Sequence, residues 1–171
     1  MKWQAAIIDG KIFDLAHLHP FCFSLHLAAQ RNLPAVTFEI DVTFGLHCFT
    51  EETKPGDCIA LHYSDMRERR TFNFERYQFS LRLPEIIRTL ATRRCYQGKY
   101  NNFMTFEIMR NGILVHYQVY FQVTKSRNMP GRLTLFVQSA YPKLVPQKIQ
   151  REKPCLFKVI CVQAANGSGK K

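Results

Sequence analysis

Acidic residues almost vanish from the second half of this 171-residue chain: past residue 87 only Glu107 and Glu152 remain, against fifteen Lys and Arg. Residues 1–87 carry nine Lys and Arg against eleven Asp and Glu, so the net charge of +11 belongs to the second half. That asymmetry points to an anionic partner, most simply nucleic acid, with a merely solubilising basic surface as the alternative. The chain also lacks any run of about 18 uncharged apolar residues, which excludes a transmembrane helix. The start has no signal-peptide core, because Asp9, Lys11 and Asp14 interrupt it, so a cytoplasmic location and no membrane partner are expected. With 46% hydrophobic residues, wholesale disorder is excluded. Internal repeats are absent, and only residues 166–171 form a low-complexity, disordered tail.

Cys-x-x-Cys spacing is missing as well. The six cysteines, Cys22, Cys48, Cys58, Cys95, Cys155 and Cys161, read as small buried hydrophobes in a reducing compartment, not as disulfides. One set, His47, Cys48, Cys58 and His62, has the ligand types of tetrahedral zinc without the usual spacing. No metal and no cofactor are expected on that basis.

What is present is mostly strand-like. Asp9-Gly10 marks a hairpin between residues 3–8 and 11–16, and residues 36–44 alternate apolar and polar as a half-buried strand does. Residues 21–30 suit strand or helix, and residues 58–63 suit a short strand. The charged stretch 65–70 is either a solvated loop or a phosphate-facing arm. A helix is expected over residues 84–94, with Pro84 in its first turn and Leu83, Ile86, Ile87, Leu90 and Ala91 as its apolar stripe. Strands are expected at 103–109, 113–124, 132–141 and, after a proline-flanked basic loop, 155–163. The fold class expected is α+β: one main helix packed on an antiparallel sheet of about four strands, preceded by a β-rich N-terminal half. Residues 1–82 form that half, as partner or extension of a basic core at 83–165.

A two-residue turn at Asn111-Gly112 fixes a register. Arg110 faces Ile113, so Glu107 falls opposite His116, Thr105 opposite Gln118 and Phe103 opposite Tyr120. If Thr124 pairs with Arg132 across the next turn, Gln122 meets Thr134, Tyr120 meets Phe136 and Gln118 meets Gln138. All lie on one face; the other face, with Tyr117, Val119, Phe121 and Leu135, must receive the helix. A carboxylate beside an imidazole can supply the acid and base for metal-free RNA cleavage, or can be an ordinary cross-strand pair. Arg132 is too far along the sheet to touch the same phosphate. Arg110, Lys143 or an arginine from 67–70 must be the cation, while Lys125, Arg127 and Arg132 bind flanking phosphates. Tyr120 and Phe136 either stack a base or are packed beneath the N-terminal half.

Leu83-Pro84-Glu85-Ile86-Ile87, residues 112–123 and residues 133–142, ending Ser139-Ala140-Tyr141-Pro142, resemble the barnase, colicin D and RelE-type superfamily of metal-independent RNase toxins, in its phage- and toxin-associated branches. The resemblance implies an endoribonuclease of toxin or prophage type acting by transesterification, with a cognate inhibitor protein as a possible partner. Glu107 and His116 would be the acid–base pair and Gln118 and Gln138 would hold the scissile phosphate. Strict alternation sends Ser139 and Tyr141 to the helix side unless a β-bulge shifts the strand. The other reading is a non-catalytic RNA- or protein-binding β-rich module.

Overall fold

The computed structural model describes residues 2–29, 35–97, 102–110, 112–127, 129, 131–143 and 154–167. Asp9 and Gly10 both take positive φ, 49° and 73°, and join β1 (Ala6–Ile8) to β2 (Lys11–Phe13) as a hairpin. Then come β3 (Phe21–Leu27), β4 (Val36–His47), β5 (Thr50–Glu51), β6 (His62–Ser64) and β7 (Arg69–Phe72). Two short helices follow, α1 (Phe74–Ser80) and α2 (Leu83–Arg88), and then β8 (Arg94–Gln97). The last stretch holds β9 (Asn102–Arg110), β10 (Ile113–Lys125), β11 (Arg132–Lys143), β12 (Pro154–Leu156) and α3 (Phe157–Ala165).

This architecture corrects the expected fold class. Strands make up 51% of the structure, the described helices are short, and among the described residues no main helix lies across a four-strand sheet. The large sheet has seven strands in the order β12-β8-β9-β10-β11-β4-β3, and a small one has the order β5-β7-β6. β11 and β4 run parallel, so strands from both halves of the chain share one sheet. No hairpin rule finds that pairing, because the partners lie some ninety residues apart in sequence.

Two local misreadings have physical causes. The helix expected over 84–94 stops at Arg88, because the Thr89 hydroxyl donates to the Ile86 carbonyl (2.8 Å) and that of Thr92 to the Thr89 carbonyl (3.0 Å). Such back-bonding leaves one 3₁₀ turn at Leu90–Thr92 before the chain extends. The strand expected at 155–163 is three residues long and then helical. Phe157, Ile160, Cys161 and Ala164 are buried at i, i+3, i+4 and i+7, a helical period that alternation obscures.

Two helices cover the face of the large sheet that carries the odd-numbered β10 residues. Phe79 of α1 stacks on Tyr117 at 5.2 Å, and Phe157 of α3 meets Phe121 edge-on at 6.1 Å. Tyr117, Phe121 and Phe157 are fully buried, and each such ring contributes about 1.5–3 kcal/mol through burial. On the opposite, even-numbered face Gln122 and Thr124 are exposed, whereas His116 and Gln118 are buried. Asn111, the basic loop at 144–153 and tail residues 168–171 lie outside the described residues.

Candidate functional site

The site starts with the turn at Gly112, whose φ of 77° suits glycine. It sets Arg110 opposite Ile113 and hence Glu107 opposite His116, Thr105 opposite Gln118 and Phe103 opposite Tyr120. The second hairpin differs from expectation. Its loop closes with the Ser126 amide donating to the Arg132 carbonyl (2.9 Å), so Lys125 pairs with Leu133, Thr124 with Thr134 and Gln122 with Phe136. Tyr120 therefore does not face Phe136, and Gln118 does not face Gln138.

A register shift then interrupts β11. Phe121 pairs with Val137 but Tyr120 pairs with Ser139, so Gln138 is the extra, bulged residue. Beyond it the faces exchange: Ser139, Tyr141 and Lys143 come to the outer face, opposite Tyr120, Gln118 and His116. Gly45 of β4 makes room for this kink. A Cβ there would lie 2.7 Å from the Gln138 carbonyl oxygen and 3.1 Å from the Phe136 ring.

Three cross-strand rows result. Glu107, His116 and Lys143 form the first, Thr105, Gln118 and Tyr141 the second, and Phe103, Tyr120 and Ser139 the third. In the first row a Glu107 carboxylate oxygen lies 3.9 Å from His116 Nδ1, too far for a hydrogen bond. Glu107 is 66% exposed and the His116 side chain 10%. In the second row Gln118 is wholly buried; its Oε1 accepts the Tyr120 hydroxyl at 2.8 Å, while its Nε2 has no partner. His116 Nδ1 is likewise buried without a partner. Tyr120 and Tyr141 stack at 5.7 Å, and two cations approach the Tyr141 ring: Arg76 at 5.0 Å and Lys143 at 5.4 Å.

Arg76 belongs to α1, which sequence reasoning missed. The Asn73 side chain caps that helix by accepting the Arg76 amide (2.9 Å), and Glu75 sits in its first turn; both are readable signals. The guanidinium donates to the carbonyls of Thr50 (2.7 Å) and His47 (3.3 Å). Burial draws it below its ordinary value, with Glu51 opposing and Arg70 adding to the effect. Nearby, Glu68 binds His47 at 2.7 Å and Arg70 at 3.3 Å. Burial pushes its carboxyl up, but His47 and Arg70 outweigh that and hold it below the usual range. The 65–70 stretch is thus a turn, in which Asp65 accepts the amides of Arg67 and Glu68, followed by a strand.

The remaining candidates scatter. Lys125 and Arg127 are exposed, as is the bulged Gln138. Arg132 pairs with Asp41 (2.9 Å), and Arg110 pairs with Glu75 (2.7 Å). The four zinc-type residues are not gathered. His47 holds Glu68, and Cys48 is buried with its thiol donating to the Val137 carbonyl (3.6 Å) and pushed up to about 12 by that burial. No cluster of three His, Cys, Asp or Glu able to hold a metal occurs among the described residues.

No curated protein and no solved structure matches this chain. A family model does, over residues 5–165, which takes in all three sheets and all three rows; the chain belongs to the YjaZ family.

Proposed function

We propose that the chain is a cytoplasmic, metal-independent endoribonuclease acting through the Glu107–His116–Lys143 row. One observation carries the reading: the turn and the bulge together bring Glu107, His116 and Lys143 into one register row across three strands. Cleavage by transesterification needs those three functions. Glu107 takes the proton of a ribose 2′-hydroxyl, whose oxygen attacks phosphorus. His116, protonated, gives its proton to the departing 5′-oxygen, and Lys143 balances the charge that builds on the phosphorane. The products are a 2′,3′-cyclic phosphate and a 5′-hydroxyl. Gln118 drops out as a phosphate ligand, because it is wholly buried beneath Tyr120. The expected helix-on-sheet fold is not the one observed, so the proposal rests on the row alone.

The 3.9 Å gap between Glu107 and His116 is compatible with the role, since catalytic hydrogen bonds often tighten only around substrate. A second reading, a non-catalytic RNA-binding module, is favoured by the same histidine's burial. Total RNA incubated with chelator separates the two. The wild type produces cyclic-phosphate ends, and Glu107→Gln and His116→Ala each lower the rate by about 10²–10⁴. Intact RNA with all three proteins, together with salt-dependent binding, would establish the module instead.

A further inference from the structure

We infer that Cys95 and Cys155 form a cross-strand disulfide site, which closes by thiol–disulfide exchange with a small disulfide such as oxidised glutathione. β12 is the edge strand of the large sheet and pairs antiparallel with β8, with Cys155 directly opposite Cys95. Directly opposed residues in an antiparallel pair have Cα atoms about 4.5 or 5.5 Å apart and side chains on one face. Both spacings fall within the roughly 4.4–6.8 Å that a disulfide spans. In sequence all six cysteines read as reduced, buried hydrophobes; the strand pairing sets these two apart, and an oxidant such as oxidised glutathione is what closes the bond.

The two thiols also divide the work. Cys155 is half-buried, whereas Cys95 is fully buried. The Cys155 thiolate attacks oxidised glutathione first, forming a mixed disulfide and releasing one glutathione. The Cys95 thiolate then attacks the Cys155 sulfur and expels the second glutathione. Two protons leave the protein, its two thiols are oxidised to one disulfide, and the glutathione disulfide is reduced to two thiols. Because β12 runs straight into α3, whose Phe157 packs on Phe121, the bond pins the C-terminal helix to the sheet. Cys161 of α3 is the third thiol at this seam, near enough to Cys95 for each charge to be felt.

Burial pushes Cys155 upward and Cys95 to about 12. Thiolate is therefore scarce near neutrality, and the exchange accelerates with pH by up to about tenfold per unit.

Full-length protein is incubated with oxidised glutathione at pH 7.5 and 8.5, quenched with an alkylating reagent and mapped by peptide mass spectrometry. The expected product is a peptide pair joined through Cys95 and Cys155, about tenfold faster at the higher pH and reversed by dithiothreitol. Cys155→Ser abolishes it and leaves Cys95 unmodified; Cys161→Ala retains it. Amide exchange in α3 slows at least tenfold on oxidation of the wild type and is unchanged for Cys155→Ser. Cys155 arrested as a glutathione adduct, a bond to Cys161 in its place, or no reaction after a day at pH 8.5 would each overturn the inference.

Discussion

The two ends of the outer sheet face are built on different principles. At the end formed by β3 and the N-terminal part of β4, polar side chains find one another at the surface. Ser24 donates to Glu39 (2.6 Å), His26 and Thr37 share a hydrogen bond (2.9 Å), and Arg132 pairs with Asp41 (2.9 Å). At the bulged end, His116 and Gln118 are buried with the imidazole Nδ1 and the amide Nε2 unpartnered, and the neighbouring Tyr120 and Tyr141 stack, with Arg76 and Lys143 at the Tyr141 ring. The first end is a solvated sheet in which one buried atom, Arg132 Nε, lacks a partner. An interior polar group without a partner costs about 1–3 kcal/mol, so a fold optimised for stability alone would not collect two in adjacent rows. The contrast teaches that the bulged end keeps polar groups inside the fold, whereas the end formed by β3 and β4 keeps most of them in water.

One comparison of equal charges should break or keep that distinction. Lys143 and Lys125 sit toward opposite ends of the same three strands. Lys143→Ala is expected to lower RNA cleavage by about 10²–10³, as removal of a charge-stabilising donor does. Lys125→Ala, read in the same assay, should change it less than about twofold, through diffuse phosphate attraction. Equal losses would mean that the basic half acts as an unstructured field and that the bulged end has no special standing.

Gly45 gives the next largest effect, and it acts on geometry. A methyl group at 2.7 Å from the Gln138 carbonyl must push the bulge aside. Gly45→Ala should destabilise the protein by about 1–3 kcal/mol in denaturant unfolding. If β11 regains strict alternation, Lys143 leaves the outer face and cleavage falls with it. Gly56→Ala serves as the control: that glycine has open space but a φ of 93°, so any loss there reports backbone strain alone.

Gly112 and Gly45 also show how far the sequence can be read. The Gly112 turn is a local signal, and it placed Glu107 beside His116 and Thr105 beside Gln118. The next hairpin failed because its turn is longer and its closing pair, Ser126 with Arg132, has no signature of its own. The bulge at Gln138 depends on Gly45, which lies on a strand paired across some ninety residues of chain; no local pattern can report that contact. For the same reason the seven-strand sheet was read as a four-strand one. Arg76 was missed for a different cause: Asn73 and Glu75 announce a helix start, but only seven residues follow before it ends.

A smaller effect, of unusual sign, is expected at Gln118. Its carbonyl is satisfied by Tyr120 and its amide nitrogen is not. Leucine removes the unpartnered donor together with the acceptor that Tyr120 uses. Gln118→Leu should therefore leave stability unchanged or raise it by up to about 1 kcal/mol, measured by urea unfolding. Ser24→Ala at the solvated end, which exposes no buried group, should lower it by no more than about 0.5 kcal/mol. A loss above 2 kcal/mol for Gln118→Leu would show that the amide is a structural anchor.

The smallest effect concerns the edge between the two regimes, where Glu68 joins His47 and Arg70. The folded protein holds this carboxyl below its ordinary value of 4.5, because His47 and Arg70 favour the charged form more than burial disfavours it. A group whose folded pKa is depressed stabilises the fold at pH above the unfolded value, and that contribution disappears as pH falls through the folded one. Wild-type stability should thus decline below about pH 4.5 partly through Glu68, and Glu68→Gln should flatten that part of the curve. Glu68 is 42% exposed, so solvent screening limits the difference, and it belongs in a plot of Tm against pH from 6 to 3. Asp41 makes the matching ion pair with Arg132 at the solvated end, and Asp41→Asn run alongside tests whether the flank of the site depends more on its ion pair than the open surface does. Parallel curves for the two variants would mean that Glu68 is a surface charge like any other, and that the boundary between the two ends lies inside the row of Gln118 and Tyr141.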